Sequence, residues 1–359
     1  MTAAHLKRLW IKLHRWVGLS LGALLLFSGL TGTLLILGEP IDEALRPHLF
    51  QADRPGDGKL DPVLVRLRQE HGPDAAFTFR PPREPGETLQ VFVTGPWNGT
   101  VYIDPHSGEE RGRLGDTEGA FNLLFALHST LLAEQTGRAI LALAALAYVL
   151  LLATGVVLWW PRRWRQALTV QVRFGWARTL YDMHRVAGVT LGLVVLVTVL
   201  SGAYMAWRPL SMAVSALASE RPTPMPTLSA PLSEAPASVD NAVALARAWQ
   251  PDAMVGYVQV PGRGQLQPVR IRLRTPDDPH PNGLSSMWVH PVTGAVMARA
   301  HWASLDAGTR AYSWIYPLHV GELGGTVTWW ITLGSGVALV MFGFSGMWLW
   351  WQRRPRRRR

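Results

Sequence analysis

The sequence contains no cysteine among its 359 residues. The chain therefore has no disulfide, no zinc site built on thiolates and no cysteine-ligated iron–sulfur cluster. It also lacks a phosphate-binding loop, a dinucleotide-binding fingerprint and the nucleophile elbow of hydrolases. Any redox chemistry must use a cofactor that side chains other than cysteine hold.

Charged side chains are missing from the interior of four apolar blocks, at about 16–38, 139–160, 188–207 and 327–351. A run of ~20 apolar residues crosses the ~30 Å hydrocarbon core of a bilayer. A charged side chain inside such a run costs a few kcal/mol or more. The blocks are edged by tryptophan and arginine, as membrane spans are. We therefore predict four transmembrane helices rather than four buried helices of a soluble core.

Sixteen of the 35 lysines and arginines lie in residues 1–15, 161–185 and 353–359, where the only acid is Asp182. Short segments rich in Lys and Arg beside a span stay in the cytoplasm. This pattern predicts a multi-pass protein with both termini inside and with the first block as an uncleaved anchor. A nucleic-acid-binding surface is the competing interpretation of the basic charge. The position of the arginines beside the spans disfavours it, and we expect no nucleic-acid partner.

The order of the spans predicts an all-α transmembrane four-helix bundle with two α+β extracytoplasmic domains. Alternating runs such as 88–93 (TLQVFV) and 269–273 (VRIRL) predict half-buried strands in both domains. The predicted segments are a first span at 1–38, an external domain at 39–127, a second span at 128–160, a cytoplasmic loop at 161–183, a third span at 184–207, an external domain at 208–318 with a Pro/Ala/Ser linker at 211–238, a fourth span at 319–351 and a cytoplasmic basic tail at 352–359.

The chain contains an internal tandem repeat. The segment 14–32 (HRWVGLSLGALLLFSGLTG) matches 184–202 (HRVAGVTLGLVVLVTVLSG) at an offset of 170 positions. The second and fourth spans match at an offset of 191, so that His128 corresponds to His319. YIDPHSG at 102–108 resembles WVHPVTG at 288–294, but the second copy lacks the aspartate, and we expect the second domain to be degenerate. Repeats in membrane proteins often place the functional site between the two halves.

One histidine stands at the N-terminal end of each span: His14, His128, His184 and His319. The alternating direction of the spans places His14 and His184 at the cytoplasmic face and His128 and His319 at the outer face. Two imidazoles that face each other can ligate one haem iron from opposite sides. The pattern therefore fits two bis-histidine haems, which we expect to be haem b. Histidines that only anchor the spans, or that bind zinc or copper, are the alternatives.

Two further features bear on these histidines. His128 precedes its apolar block by 11 residues, or roughly 16 Å of helix, so we expect the outer pair at or beyond the membrane surface. Arg15 and Arg185 directly follow the inner histidines and are candidate partners of haem propionates, as Arg138 is on the outer side. Arg15 and Arg185 fit equally well the excess of positive charge expected at the cytoplasmic face.

Several of these segments resemble the PepSY-associated transmembrane family. They are HRWVGLSLGALLLFSGLTG, LHSTLLAEQTGR with GVVLWWPRR, LYDMHRVAGVTLG, and LHVGELGG with GMWLWW, while YIDPHSG is similar to the closing hairpin of a PepSY domain. The resemblance covers nearly the whole chain. It implies a bacterial inner-membrane protein linked to iron uptake, with the four histidines as haem ligands. It also implies PepSY-like external domains that handle a ferric siderophore.

Two hypotheses from different classes follow. The first is a di-haem electron carrier across the lipid bilayer, acting as a haem-dependent ferric-siderophore reductase. Its electrons would come from a cytoplasmic flavin reductase or from quinol, and a ferric siderophore or another periplasmic acceptor would receive them. The second is a non-enzymatic PepSY-type membrane protein that binds peptide, a protease or a siderophore and serves as an anchor or permease. On that hypothesis the histidines only anchor the spans.

Overall fold

The protein is described here from a computed structural model covering residues 3–56, 58–161, 164–230 and 237–352. Arg162, Arg163, the tail at 353–359 and part of the predicted linker lie outside the described residues. The helices are α1 (Ala3–Leu45), α2 (Pro47–Phe50), α3 (Leu60–His71), α4 (Gly119–Thr130), α5 (Glu134–Trp159), α6 (Trp164–Ala167), α7 (Trp176–Thr190), α8 (Gly192–Ala206), α9 (Arg208–Leu217), α10 (Val239–Trp249), α11 (Ala307–Val320) and α12 (Thr326–Gln352). The strands are β1 (Ala76–Arg80), β2 (Leu89–Thr94), β3 (Gly99–Ile103), β4 (Glu110–Gly115), β5 (Met254–Val260), β6 (Val269–Arg274), β7 (Ser285–Val289) and β8 (Val296–Ala300).

The chain divides into two compact units, each of which takes segments from both halves of the sequence. The helical unit comprises Met1–Leu37, Leu124–Leu210 and Leu318–Arg359. The sheet unit comprises Gly38–Leu123 and Ser211–Pro317. Residues 211–217, which were predicted as linker, belong to α9.

Three of the described helices are long and apolar enough to cross a membrane: Ala4–Gly38 within α1, α5 and α12. The pair α7 and α8 passes the same test together, but the two helices meet at an angle of 67°. The described residues therefore hold three candidate spans, or four when the bent pair counts as one. The Tyr148 hydroxyl of α5 donates to the Gly192 carbonyl at 3.2 Å, which ties α5 to the start of α8 just after the bend.

Apolar side chains from four helices pack together in the helical unit. Leu25 of α1, Tyr148 of α5, Val195 of α8 and Leu339 of α12 belong to one buried cluster. A Cβ atom at Gly29 would lie 3.0 Å from the Leu339 Cβ, so α1 approaches α12 closely there. Small residues allow such approaches between membrane helices.

His128 and His319 stand on helices that are separate from the following spans. His128 lies near the end of α4, and Leu131 and Leu132 in the link and Glu134 at the start of α5 all have positive φ. His319 lies near the end of α11, and α12 begins only at Thr326. The predicted spans at 128–160 and 319–351 instead continued each histidine helix without a break. The sequence does not signal the first break, because leucine rarely adopts positive φ and no glycine marks the turn.

The eight strands form one antiparallel sheet in the order β4-β3-β2-β1-β5-β6-β7-β8. The first four strands come from the first predicted external domain and the last four from the second. The halves meet where β1 pairs with β5, from Phe77↔Val260 to Phe79↔Val258. The strands predicted at 88–93 and 269–273 lie in β2 and β6, but the two predicted domains share one sheet. The pairing covers two edges that would otherwise expose unpaired backbone groups.

Helices α3 and α10 cover one face of this sheet and cap each other. The Asp240 carboxylate of α10 accepts from the Leu60 and Asp61 amides at 2.8 and 3.2 Å, at the start of α3. The Asp61 carboxylate of α3 accepts from the Val239 amide at 2.7 Å and from the Ser238 hydroxyl at 2.5 Å, at the start of α10. An acid at a helix N-terminus satisfies free amides and complements the helix dipole. The two halves of the sheet unit therefore cap each other's helices and also pair their strands.

We expect Asp240→Ala to destabilise the sheet unit by about 1–2 kcal/mol, because the substitution leaves the first two amides of α3 without their carboxylate. Chemical unfolding of the purified chain, followed by tryptophan fluorescence, measures this change. Asp252→Ala is the matched control, since Asp252 is exposed in the turn before β5. Equal loss of stability in the two variants would contradict the capping role.

The two similar turns have the same geometry despite their different first residues. The Asp104 carboxylate of YIDPHSG accepts from the His106 and Ser107 amides, both at 2.9 Å. In WVHPVTG the His290 Nδ1 accepts from the Val292 and Thr293 amides, both at 3.2 Å. A histidine nitrogen therefore replaces the missing aspartate, and at this turn the second half is not degenerate.

Candidate cofactor site

The members of each predicted histidine pair lie side by side in the helical unit. In the first pair, His14 and His184, the ring centres are 6.3 Å apart and the ring planes meet at 88°. In the second pair, His128 and His319, the distance is 6.2 Å and the angle is 29°. Metal–imidazole bonds of about 2 Å, plus roughly 1 Å from each nitrogen to its ring centre, separate two opposite ligands by about 6 Å. Both pairs have this spacing.

A hydroxyl group on another helix holds the Nδ1 atom of each imidazole. The pairs are His14 with Thr154 at 2.8 Å, His184 with Ser345 at 2.7 Å, His128 with Thr31 at 3.1 Å and His319 with Ser201 at 3.0 Å. A hydrogen bond at one ring nitrogen orients the ring and leaves the other nitrogen for a metal. All four rings are held in this way.

The same hydroxyls also define which ring nitrogen carries the proton. Each one donates to a carbonyl of its own helix: Thr154 to Leu150 at 2.6 Å, Ser345 to Met341 at 2.5 Å, Thr31 to Phe27 at 2.9 Å and Ser201 to Thr198 at 2.8 Å. A hydroxyl has one proton, so a hydroxyl that donates to its own helix carbonyl accepts the Nδ1–H of the histidine. The network therefore assigns the proton to Nδ1 and leaves each Nε2 as an unprotonated ligand atom.

A glycine follows each of these hydroxyl residues, at positions 32, 155, 202 and 346. A Cβ atom at Gly32 would lie 2.9 Å from Cε1 of His128, and one at Gly202 would lie 2.8 Å from Cε1 of His319. These glycines provide the space that the second pair occupies. Because they lie inside the apolar blocks of α1 and α8, the second pair sits against those blocks.

The two pairs contact α1 at different levels. His14 belongs to the first pair, and Thr31 holds a histidine of the second pair 17 positions later. At the rise of an α-helix this difference is roughly 25 Å. The two pairs are therefore separate sites along the span.

The first pair borders a cavity of about 520 Å³ in the helical unit. Its walls are mostly apolar, with Leu151, Leu152 and Phe342 among them, and Arg15 and Arg185 also line it. A cavity of this size and composition is typical of sites for organic cofactors. The walls and the spacing of the first pair fit a planar porphyrin with charged edge groups.

The three arginines that the sequence predicts as partners of haem propionates differ in their surroundings. Arg15 and Arg185 border the cavity, whereas Arg138 is exposed on the first turn of α5. Arg185 makes an ion pair with Asp182 at 3.2 Å and donates to the Thr169 carbonyl at 3.0 Å. Asp182 is fully buried and also accepts from Arg178 at 2.9 Å. Asp182 therefore fixes Arg185 beside the cavity, a role that sequence reasoning missed.

Sequence reasoning also missed the four hydroxyls. A Thr–Gly or Ser–Gly pair occurs in every apolar block, and Thr31 and Ser201 are 170 positions apart, as His14 and His184 are. The equal spacing of these pairs in the two halves of the sequence was the signal that could have identified the hydroxyls. It is weak by itself, because hydroxyls in membrane helices commonly bond to their own backbone.

The alternative of a simple metal site receives no support from the described residues, which include no group of three or more His, Cys, Asp or Glu side chains able to hold a metal ion. Zinc and copper take three or four protein ligands. A porphyrin iron needs only two from the protein, which is what each pair offers.

The apolar helices and the eight-stranded sheet define a membrane protein. Its folded sheet unit is formed by two chain segments that alternate in sequence with the apolar helices. The chain belongs to the family described as PepSY-associated TM region, whose sequence profile matches residues 11–353. No curated protein matches the chain.

Proposed function

We propose that the chain is a di-haem electron-transfer protein of the bacterial inner membrane that reduces the iron of a ferric siderophore. The observation that supports this proposal is the arrangement of the four imidazoles in two pairs, with ring centres 6.3 and 6.2 Å apart and each Nδ1 bonded to a hydroxyl. The two histidines of each pair would hold haem b, which would supply reversible one-electron chemistry.

The protein side chains favour electron transfer over oxygen chemistry. Because each pair would supply two histidine ligands, bound haem would carry electrons rather than bind oxygen. The Thr and Ser hydroxyls are uncharged acceptors, so they orient the rings without adding the negative charge that a carboxylate would place near the ferric state. Arg15 and Arg185 supply positive charge at the edge of the first site.

The proposed topology gives electron transfer a direction, from the first pair to the second. We place both termini and the first pair on the cytoplasmic side, with the second pair and the sheet unit in the periplasm, because the basic segments flank the spans there. In this arrangement the spans form a four-helix bundle of two tandem repeats. Two sites at different levels divide the ~30 Å crossing into shorter steps. A cytoplasmic flavin reductase or quinol supplies electrons, and the siderophore-bound Fe(III) accepts them.

Absorption spectra of the purified chain test the proposal. We expect a haem Soret band that shifts on reduction with dithionite, and two haems per chain by pyridine haemochrome assay. A chain purified from haem-replete cells without this band would exclude the proposal. The non-enzymatic alternative instead predicts that replacing all four histidines with alanine leaves function intact.

Thr154→Val removes the hydroxyl that holds His14 while keeping the shape of the side chain. We expect the variant to keep its histidine ligands but to bind the first haem about 10–100-fold more weakly, since partners of metal-bound histidines contribute this much to affinity. Haem transfer to apomyoglobin measures the loss. Thr190→Val is the matched control, because the Thr190 hydroxyl donates to the Val186 carbonyl of its own helix. Equal haem retention in the two variants would contradict the role of Thr154.

A further inference from the structure

The central strands of the sheet have a second face on the side opposite α3 and α10, where Arg270 and Arg272 are partly exposed and Trp288 is buried. Phe79, Val258 and Ile271 point into the core, so the alternating residues point away from it. Strand pairing places Tyr257 beside Arg272, and Gln259 beside Arg270, which in turn is beside Trp288. We call the arginine face the surface formed by Arg80, Phe92, Tyr257, Arg270, Arg272 and Trp288.

Two arginines of this face lack a carboxylate partner. Arg270 and Arg272 are neighbours on the same side of β6, and neither makes an ion pair with any residue that the structure describes. Arg270 donates to the Ser286 hydroxyl at 3.0 Å, and Arg272 donates to the Gly283 carbonyl at 2.9 Å. Both partners are neutral, so the two positive charges remain uncompensated by direct contact.

The surroundings make these charges costly. Burial, followed by repulsion from Arg272, lowers the pKa of Arg270 to about 9. Burial also lowers the pKa of Arg272, and the opposing effect of the Asp278 carboxylate is smaller. That carboxylate already accepts from the His280 amide, the Leu284 amide and the Ser313 hydroxyl. A buried charge without a partner is destabilising, so the face is suited to a negative ligand.

Neighbouring groups add positive potential or aromatic surface but little negative charge. Burial and the charges of Arg272, Arg83 and Arg274 lower the pKa of His280 to about 3, so this histidine is neutral near pH 7. Arg272 lies 5.4 Å from the centre of the Tyr257 ring, and Arg270 lies 5.4 Å from that of Trp288. Phe92 packs edge-on against Tyr257 at 6.1 Å, and both rings remain partly exposed.

We propose that the arginine face binds a negatively charged iron chelate whose ligand groups are aryl oxygens, such as a tris-catecholate, in preference to an uncharged hydroxamate chelate. This inference rests on the proposed function, because it names the class of ferric siderophore that the protein reduces. The guanidinium groups neutralise the chelate, and the partly exposed rings stack on its aryl groups. The face spans five strands from β2 to β7, or roughly 19 Å, which accommodates such a ligand.

Gallium(III) chelates test the inference without any electron transfer. The complete chain in lipid nanodiscs is titrated with a gallium tris-catecholate and with an uncharged gallium trihydroxamate, and tryptophan fluorescence reports binding. We expect the catecholate to bind at least about tenfold more tightly at low salt, with the preference falling as salt screens the charges. Arg270→Gln should weaken catecholate binding by about tenfold or more and leave hydroxamate binding unchanged.

Arg274→Gln is the matched control, because Arg274 lies on the same side of the same strand but at its exposed end. We expect its effect to stay below about threefold, as for an exposed charge. If Arg270→Gln does not fold, Arg80→Gln on β1 replaces it. The inference is overturned if the chain binds the two chelates with equal affinity, or if Arg270→Gln loses the same affinity for both. Displacement of the chelate by anionic lipid overturns it as well. Gallium binding needs no haem, so absence of haem would overturn the proposed function alone.

Discussion

The variant His14→Ala is expected to bind one haem per chain instead of two and to lose electron transfer across the membrane. The ring centres of His14 and His184 are 6.3 Å apart, and a haem iron held by this pair would keep only one protein ligand in the variant. The second pair, roughly 25 Å away along α1, has its own ligands and should keep its haem. The first part of the electron path across the membrane would then have no electron carrier.

Haemochrome assay and stopped-flow reduction in proteoliposomes measure the two effects. His5→Ala is the matched control, since His5 is exposed on the same helix. Imidazole added to the buffer should restore the missing band in His14→Ala by occupying the space of the lost ring. Two haems per chain in His14→Ala would show that the first pair does not bind iron and would remove the basis of the proposed electron path.

The variant Gly202→Val is expected to lose the haem of the second pair and keep that of the first. A Cβ atom at position 202 would lie 2.8 Å from Cε1 of His319, so the valine must displace that imidazole. Displacement moves Nε2 away from the iron and disturbs the hydrogen bond to Ser201. The expected result is about half the Soret absorbance of the unchanged protein, with no reduction of a periplasmic acceptor.

Gly334→Val controls for the cost of placing a branched residue in a membrane helix, because nothing lies within 4 Å of a Cβ atom at position 334. We expect this variant to keep both haems. Gly32→Val, on the other side of the second pair, should behave as Gly202→Val does, because its Cβ would meet His128 at 2.9 Å. If both valine variants at 32 and 202 retain full haem content, the glycines are only packing residues.

Much of the architecture follows from one-dimensional patterns. Apolar runs of the length of a bilayer predict spans, and the runs at 88–93 and 269–273 predict strands because side chains alternate across a sheet. The pairing of His14 with His184 also follows from chain direction and repeat register. The spans and strands are readable because each depends on spacing along one helix or strand, and the histidine pairing is readable because the repeat places the two residues in equivalent positions. The assignment of haem to the pairs stays a prediction.

Features that depend on contacts between distant segments could not be read in the same way. The pairing of β1 with β5 joins two external segments that the sequence presents as separate domains. The exchange of caps between Asp61 and Asp240 is equally non-local. The break after α4 is hidden because Leu131 and Leu132 adopt positive φ, which the residue type leucine does not indicate.

By itself, the sequence determined the number and position of the apolar runs, the excess of arginine beside them and the presence of one histidine near each. Only the tertiary structure determined that each imidazole meets a hydroxyl from another helix, and that this hydroxyl also lies within hydrogen-bond distance of a carbonyl of its own helix. The physical reason is that ligand identity is a property of residue type. The protonation state and direction of a ligand atom depend on neighbours that only folding brings within hydrogen-bond distance.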